Sequence, residues 1–302
     1  MFEFQRTLRK KIIFSGLGLH TGSKTNMTVY PAKENSGVIF KRIDLDNEVV
    51  IKASVENVVE TKRGTTIGIN GYKIYTIEHF LSALNGLGID NAYIEIDNIE
   101  PPVFDGSSKV FVDEIINIGI KKYDIKKIYV NISKSMEYID DQCSMKIIPY
   151  DKFKVSYYGN FKYGNIGKQE YIYTSANDYI KEVSCARTFC SIAELIHLKD
   201  NGLIKGADLN SGIVFLDDRI NQDDIKNILV KMNLEVKSLK NKNYTLNNIS
   251  LRYDNEPIRH KVLDLLGDFS LLGYGLKGHI ISYGGGHASN IGMMKKIDTI
   301  YG

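Results

Sequence analysis

The chain has 302 residues and a mass of 34.1 kDa, with 43% hydrophobic and 25% charged side chains, a composition typical of a soluble globular protein. Its 39 basic and 36 acidic residues give a net charge of +3 and are scattered along the chain, which argues against a dedicated nucleic-acid-binding protein. This length exceeds that of a usual single core, so we expect two domains.

Short segments rich in Val, Ile, Thr and Phe predict an antiparallel sheet in the first part of the chain, over residues 6–15, 24–31, 36–42 and 49–53. The Asn70-Gly71 pair predicts a tight hairpin turn. Apolar residues then recur at helical spacing and end at glycines, which predicts a helix over 76–87. A strand over 91–97 and a helix over 108–118 follow.

The basic, polar stretch KKYDIKK predicts a domain boundary at about 122–128, which divides the chain into domains 1–125 and 126–302. The second half repeats the first in outline, with strands, a helix over 257–272 that glycines end, and the strand HIISY. In both halves a helix begins near a histidine and leads into a strand. This pattern indicates a duplicated α+β unit.

Residues 219–250 are rich in Asn, Lys and Asp, with one short amphipathic patch from Ile225 to Met232. We interpret the segment as a surface insertion that contains one helix, with a partner-binding arm as the alternative. No catalytic role is assigned to it.

The sequence predicts no membrane span, no signal peptide and no disulfide framework. No run of eighteen apolar residues predicts a membrane span. The basic N-terminal segment leads into a short apolar run that glycines interrupt, so we interpret it as a strand and not as a signal peptide. The three cysteines, at 143, 185 and 190, include no Cys-x-x-Cys pair and predict neither a disulfide framework nor a cysteine zinc cluster. A reducing cytoplasm is the expected location.

The helix predicted over 257–272 carries His260, Asp264 and Asp268 at intervals of four, so all three project from one stripe. A His and an Asp at this spacing can hold one divalent ion. For this motif alone, acidic residues that pair with Lys and Arg on a helix are the commoner explanation.

Two further motifs contain chemically capable side chains. Glu78 and His79 are adjacent near the start of a predicted helix and point about 100° apart, so His79 could bind a metal while Glu78 reaches a water molecule on it. The alternative is a carboxylate at the positive end of the helix dipole beside a packed histidine. In GGGHASN, at 284–290, the glycines place His287 at a strand end where a site could open, or else form only a flexible turn.

Together the three motifs supply what a hydrolytic zinc site needs: two His and one carboxylate as ligands, a second carboxylate as base and a third His as acid. Zinc with three protein ligands retains a position for water, whose pKa it lowers from about 15.7 toward about 7. The sequence therefore predicts metal-assisted hydrolysis of an amide.

Several long motifs occur in the chain at 5–12 (QRTLRKKI), 16–22 (GLGLHTG), 76–91 (TIEHFLSALNGLGIDN), 101–108 (PPVFDGSS), 186–189 (ARTF), 258–268 (IRHKVLDLLGD) and 285–289 (GGHAS). In these motifs and in their order, the sequence resembles the bacterial UDP-3-O-acyl-N-acetylglucosamine deacetylases, zinc enzymes of lipid A biosynthesis. The resemblance runs nearly from end to end.

This resemblance implies roles at the matching positions. His79, His260 and Asp264 would bind zinc, and Glu78 would be the general base that activates the metal-bound water. His287 would be the protonated histidine that stabilises the oxyanion and protonates the departing amine.

Four more residues match positions of the family's site. Asp268 would orient the catalytic histidine and favour its cationic form, and the Thr188 hydroxyl would support the tetrahedral intermediate. Lys261 and Phe189 match positions that contact substrate, although a surface salt bridge is the simpler explanation for most lysines.

The family's fold consists of two α+β domains of similar topology, each a sheet layered against helices, with the active site between them. Each domain has an insert beside the site, here at about 58–76 and 189–218. The second insert would line a passage for the fatty acyl chain, with apolar residues at helical spacing: Phe189, Ile192, Leu195 and Ile196. In the first insert, Lys62 and Arg63 stand where an apolar residue often contacts that chain.

The predicted function is zinc-dependent hydrolysis of the N-acetyl group of UDP-3-O-(3-hydroxyacyl)-N-acetylglucosamine, with release of acetate, as the committed step of lipid A biosynthesis. The expected partner is then this UDP-linked substrate. The site requires no oligomer, so we expect a monomer. Two alternatives remain: a noncatalytic binding module in which zinc is structural, and a zinc amidohydrolase for a different sugar or peptide. A structural zinc would need a fourth protein ligand, and no cysteine lies near the three ligands in the motifs.

Overall fold

The structure is a computed structural model that describes residues 1–141, 143–164, 166–206, 210–217, 221–231 and 244–302. The elements of the first half are β1 (Phe4–Leu8), β2 (Ile12–Leu17), β3 (Lys24–Pro31), β4 (Val38–Arg42), β5 (Val49–Lys52), β6 (Val58–Glu60), β7 (Thr66–Ile69), β8 (Tyr72–Ile74), α1 (Glu78–Gly86), β9 (Ala92–Ile96), α2 (Lys109–Ile118) and β10 (Ile120–Lys126).

The elements of the second half are β11 (Tyr129–Asn131), β12 (Met136–Ile139), β13 (Ser144–Ile148), β14 (Phe153–Phe161), β15 (Gly167–Tyr173), α3 (Ala176–Asp178), β16 (Phe189–Ser191), α4 (Ile192–Asp200), β17 (Ile213–Phe215), α5 (Gln222–Lys231), α6 (Glu256–Phe269), β18 (Gly275–Tyr283) and α7 (His287–Tyr301).

Each half is built on one large sheet, and the two sheets have the same strand order and the same strand directions. In the first half the order is β2-β3-β9-β4-β5, and in the second it is β12-β13-β18-β14-β15, with β11 also paired to β18. In both, the central strand is antiparallel to one neighbour and parallel to the other. A helix precedes the central strand and another follows it. The predicted α+β fold with two sheet-and-helix units of similar topology is therefore confirmed.

Alternating burial explains why the central strands form and how the helices cover them. Ala92, Ile94 and Ile96 of β9 are buried and the residues between them are partly exposed. Strand β18 alternates in the same way. One face of each sheet therefore packs against helices, and the resulting apolar core continues through both halves.

Helices α1 and α6 pack against each other and so join the two halves. Gly267 lies so close to α1 that a Cβ atom there would be 2.1 Å from the carbonyl oxygen of Glu78. About two turns further along α1, the Asn85 Nδ2 donates a hydrogen bond of 2.6 Å to the carbonyl oxygen of Leu266. This contact brings the first turn of α1 beside the last turn of α6.

Several sequence expectations are confirmed and others need correction. The Asn70-Gly71 turn joins β7 to β8, with both residues at positive φ. The segment predicted as one strand over 6–15 is two strands, because β1 pairs with β10 whereas β2 pairs with β3. Most of the stretch 122–128 is strand β10, and the domain boundary placed there stays a prediction.

The second insert also differs from the expectation. Phe189 belongs to the short strand β16 and not to a helix, because Ser191 caps α4 in a capping box with Glu194 and so starts the helix at Ile192. Ile192 and Leu195 lie in a separate small apolar cluster. Of the stretch 219–250, the structure describes α5 and residues 221–231 and 244–250, so Met232 lies outside the described residues. In the described part of the chain, no helix has the length and apolar character needed to cross a membrane.

Candidate active site

Three buried side chains from both halves converge at the contact of α1 with α6. His79 comes from the first turn of α1, and His260 and Asp264 come from successive turns of α6. One nitrogen or oxygen atom from each lies within 4.8 Å of the other two. Asp264 Oδ1 is 3.3 Å from His260 Nε2 and 3.7 Å from His79 Nε2. Donor atoms bonded to one tetrahedral zinc ion at about 2.0–2.1 Å are roughly 3.3–3.4 Å apart, so the spacing suits a metal ion.

The orientation of these groups also suits a metal ion. The Nδ1 of His260 lies 3.0 Å from the carbonyl oxygen of Ala186, to which it donates, so the lone pair of Nε2 points into the cluster. Asp264 Oδ1 is buried without a hydrogen-bond partner, whereas Oδ2 accepts from Lys261 Nζ at 3.0 Å. A buried carboxylate oxygen without a partner is costly unless a cation lies beside it.

Electrostatics keep the three groups in the protonation states of metal ligands. Burial and the neighbouring His260 lower the pKa of His79 to about 3, and burial also lowers the pKa of His260. Burial alone would raise the pKa of Asp264, but His260 and Lys261 outweigh it and hold that pKa below its usual range. Near neutral pH the cluster is therefore two neutral imidazoles and one carboxylate.

Glu78 lies next to this cluster without being part of it. Its Oε2 accepts a hydrogen bond of 2.9 Å from the backbone N–H of Thr65, and its Oε1 is 4.0 Å from His287 Nε2. Burial raises the pKa of Glu78 to about 7. A carboxylate with this pKa can take up a proton near neutral pH.

His287, the first residue of α7, forms a hydrogen-bonded pair with Asp268. Its Nδ1 donates to Asp268 Oδ2 at 2.9 Å, and the same oxygen accepts from Asn290 Nδ2 at 2.8 Å. Burial alone would lower the pKa of His287, but the Asp268 carboxylate outweighs burial and raises it to about 9. His287 is thus cationic at neutral pH, with Nε2 directed toward Glu78.

Two hydroxyl groups that sequence reasoning missed support this arrangement. Thr65, which precedes β7, donates from its Oγ1 to Asp268 Oδ1 at 2.5 Å. Ser108, at the start of α2, donates from its Oγ to the backbone carbonyl of His79 at 2.7 Å. Ser108 is the last residue of the motif PPVFDGSS, which contributed to the family resemblance but did not indicate this hydrogen bond. Nothing in the local sequence around Thr65 signals its contacts, because they lie far away along the chain.

A cavity of about 820 Å³ opens over the cluster and reaches into the second insert. At the polar end it is lined by Glu78, His79, His260, Asp264 and His287. At the other end apolar side chains line it: Leu19, Leu195, Leu198, Ile204, Ile213 and Val214. A cavity of this size holds a small-molecule ligand with one polar and one apolar part.

The remaining predicted residues lie on the wall of this cavity. Thr188 and Phe189 line it where β16 begins, and the Phe189 ring centroid is 6.1 Å from that of His260. Lys261 also lines it, with its Nζ 5.6 Å from the Phe189 ring centroid. Burial disfavours the Lys261 cation, but Asp264 outweighs burial and raises its pKa. All nine residues predicted for the site are therefore brought to one region.

The two basic residues of the first insert have different positions. Arg63 lines the cavity, and its guanidinium pairs with Glu194 of α4 at 2.8 Å, which links the two inserts. Lys62 is exposed and is not among the residues that line the cavity. Of the two, Arg63 is therefore the one placed to contact a ligand in the cavity.

Comparison with known proteins gives consistent matches. A family model described as UDP-3-O-acyl N-acetylglycosamine deacetylase (LpxC) matches residues 5–231 and 226–299. A UDP-3-O-acyl-N-acetylglucosamine deacetylase of Alcanivorax borkumensis is 36% identical over 296 residues, which cover 97% of this chain and 89% of that protein.

Two longer relatives are bifunctional LpxC/FabZ enzymes. The protein of Chlorobaculum tepidum is 39% identical over 301 residues, and that of Porphyromonas gingivalis is 38% identical over 295 residues. The matches cover 98% and 97% of this chain, respectively, but only 64% of each relative. The chain thus spans less than two thirds of the length of the bifunctional proteins and most of the single-function one.

Proposed function

The chain belongs to the UDP-3-O-acyl N-acetylglycosamine deacetylase family, and we propose that it is a zinc-dependent amide hydrolase. Its substrate is a UDP-linked, 3-O-acylated N-acetylglucosamine, its product is acetate, and it acts in lipid A biosynthesis. The observation that carries the proposal is the convergence of two imidazoles and a carboxylate within 4.8 Å, beside a separate carboxylate base and a cationic histidine.

His79, His260 and Asp264 are the residues that would hold the zinc ion. Their geometry, the unpartnered Asp264 Oδ1 and the neutral imidazoles support this assignment. In the described part of the chain no fourth His, Cys, Asp or Glu joins the group, which disfavours a closed structural site. A zinc ion bound there would supply Lewis-acid chemistry, by polarising the carbonyl group of the amide.

Glu78 acts as the general base. The Thr65 amide holds one of its oxygens, and the other faces the space between the metal-binding residues and His287. From this position Glu78 takes a proton from the water molecule that attacks the amide carbon. Its raised pKa, about 7, makes this transfer efficient near neutral pH.

His287 acts as the general acid. Asp268 and the hydrogen bond at Nδ1 keep the imidazole protonated and fix its ring, so Nε2 presents a proton toward the cavity. The C–N bond breaks as His287 delivers this proton to the amide nitrogen, and the products are the free amine and acetic acid, which releases its proton to solvent and becomes acetate. In this scheme Glu78 gains one proton and His287 loses one, so the pair is reset by proton exchange before the next turnover.

The cavity wall binds the rest of the substrate. The Thr188 hydroxyl would donate a hydrogen bond to the developing oxyanion. Lys261 would contact a hydroxyl or phosphate oxygen, and Phe189 would pack against the sugar or the acyl chain. The apolar end of the cavity is suited to a fatty acyl chain, which supports an acylated substrate.

The test is acetate release from UDP-3-O-acyl-N-acetylglucosamine by the purified chain. We expect turnover that a chelator abolishes and that added Zn²⁺ restores. Parallel reactions with N-acetylglucosamine derivatives that lack either the UDP group or the acyl chain separate this function from a general amidohydrolase, which would hydrolyse them equally well. Absence of acetate release from the zinc-loaded protein would refute the proposal and favour a binding module.

A further inference from the structure

Thr65 contacts both of the carboxylates that the proposed mechanism uses. Its backbone N–H donates to Glu78 Oε2 at 2.9 Å, and its hydroxyl donates to Asp268 Oδ1 at 2.5 Å. The same hydroxyl oxygen is 3.3 Å from Nδ1 of His287. One residue of the first half is thus bonded to a group on α1 and to a group on α6.

The hydrogen bonds around Asp268 assign a specific task to this hydroxyl. Asp268 is fully buried, and its Oδ2 accepts from His287 Nδ1 and from Asn290 Nδ2. In the described part of the chain, Thr65 is the one side chain that donates to Oδ1. A hydroxyl has a single proton, and because His287 Nδ1 already donates to Oδ2, the Thr65 proton goes to Oδ1. The hydroxyl therefore fixes the rotation of the carboxylate about its Cβ–Cγ bond.

Thr65 has no direct route to the substrate. It is fully buried, and it is not among the described residues that line the cavity. Any effect of its side chain on the reaction must therefore pass through Asp268 and His287.

We propose that Thr65 is a positioning residue: its hydroxyl holds Asp268 so that Oδ2 faces His287, while its amide holds Glu78, and it thereby sets the spacing between base and acid. This inference rests on the proposed function. It predicts that loss of the hydroxyl lowers the rate of the chemical step and leaves substrate binding unchanged, because two donors to Asp268 remain and the cavity wall is intact.

The experiment compares Thr65→Val, which removes only the hydroxyl, with Thr65→Ser, which keeps it. For Thr65→Val we expect kcat to fall about 10- to 100-fold, as for the loss of a hydrogen bond to a charged group, with KM within about twofold of wild type. Thr65→Ser should retain kcat within about threefold, because its hydroxyl can reach the same oxygen. Thr25→Val is the matched control, since the Thr25 hydroxyl is buried without a hydrogen-bond partner, and it should leave both constants unchanged.

A second measurement does not depend on turnover. The proton on Nδ1 of His287, hydrogen-bonded to Asp268, should give a downfield ¹H resonance that His287→Gln removes. We expect it to shift or broaden in Thr65→Val and to stay in place in Thr65→Ser and Thr25→Val. If Thr65→Val does not fold, Thr65→Ala removes the same hydroxyl with a smaller side chain.

The outcomes separate this inference from the proposed function. If the wild type releases acetate while Thr65→Val keeps its kcat and its downfield resonance, the positioning role is refuted and the deacetylase function stands. If the wild type releases none, the function is refuted and the resonance alone decides whether Thr65 orients the Asp268–His287 pair. A rise in KM at constant kcat would also overturn the inference, because it would place Thr65 in substrate binding.

Discussion

Substitution of Gly267 by alanine should separate the two helices that carry the site. In an ordinary helix interior, Gly→Ala stabilises by about 1 kcal/mol. At Gly267 the new Cβ would lie 2.1 Å from the carbonyl oxygen of Glu78 and 2.8 Å from its carbonyl carbon, where ordinary contact needs at least 3.4 Å. The first turn of α1 must therefore retreat by about 1.3 Å, since the obstacle is backbone and not a flexible side chain.

The expected magnitudes follow from this displacement. Overpacking costs about 1–3 kcal/mol against a gain of about 1 kcal/mol in helix propensity, so the free energy of unfolding should fall by up to about 2 kcal/mol. A displacement of about 1 Å at the reacting groups can cost on the order of 100-fold in rate, and Glu78 and His79 both lie on the displaced turn. Urea unfolding and kcat of the zinc-loaded protein measure the two effects.

Gly292→Ala provides the matched control. Gly292 is also in a helix, and its new Cβ would lie 2.1 Å from a Tyr138 ring atom, which can move away. We expect a change in stability but an unchanged kcat. The reasoning would be refuted if Gly267→Ala became more stable by about 1 kcal/mol and kept its wild-type rate.

Three further predictions concern charges. Glu256 is fully buried and accepts hydrogen bonds from the Arg187 amide and guanidinium. Glu256→Ala should therefore lower the free energy of unfolding, measured in urea, by about 3–5 kcal/mol. A loss below about 1 kcal/mol would contradict this expectation. Glu78→Gln and His287→Gln should each reduce kcat by about 10²- to 10⁴-fold with an unchanged circular dichroism spectrum. A near-normal rate in either variant would refute the role of that residue as general base or general acid. The rate should rise with pH as Glu78 loses its proton, with a pKa of about 7, and fall as His287 loses its proton, with a pKa of about 9. Asp268→Asn should move the alkaline limb of this profile to lower pH. A profile without an alkaline limb would disprove the role of His287 as the acid.

The repeated α+β pattern was readable from the sequence because local signals agree with the tertiary fold. The turn at Asn70-Gly71, the helix α1 with its apolar residues at helical spacing, and the alternating strand β9 each follow from short-range residue preferences. Phe189 shows where such reasoning fails: its spacing to Ile192 suits a helix, but the Ser191 capping box starts the helix only afterwards, and Phe189 pairs in a strand. Periodicity cannot resolve a boundary of this kind.

The site was predictable only in part. The i, i+4 spacing of His260 and Asp264 indicates one helix face, but nothing local indicates that α1 packs on that face. Gly267 lies at the crossing of the two helices, and its close approach to the Glu78 carbonyl, visible only in the structure, explains why no side chain stands there. Thr65 carries no local signal, because its partners lie 13, 203 and 222 residues away.

The location of bound zinc tests the account most directly. Crystals of the zinc-loaded chain, measured at the zinc absorption edge, should show one strong anomalous peak per chain. We expect bonds of about 2.0–2.2 Å from that peak to His79 Nε2, His260 Nε2 and an oxygen of Asp264, with Glu78 unbound. A zinc ion that is not bonded to His79 or His260, or that has a fourth protein side chain as a ligand, would contradict the proposed site.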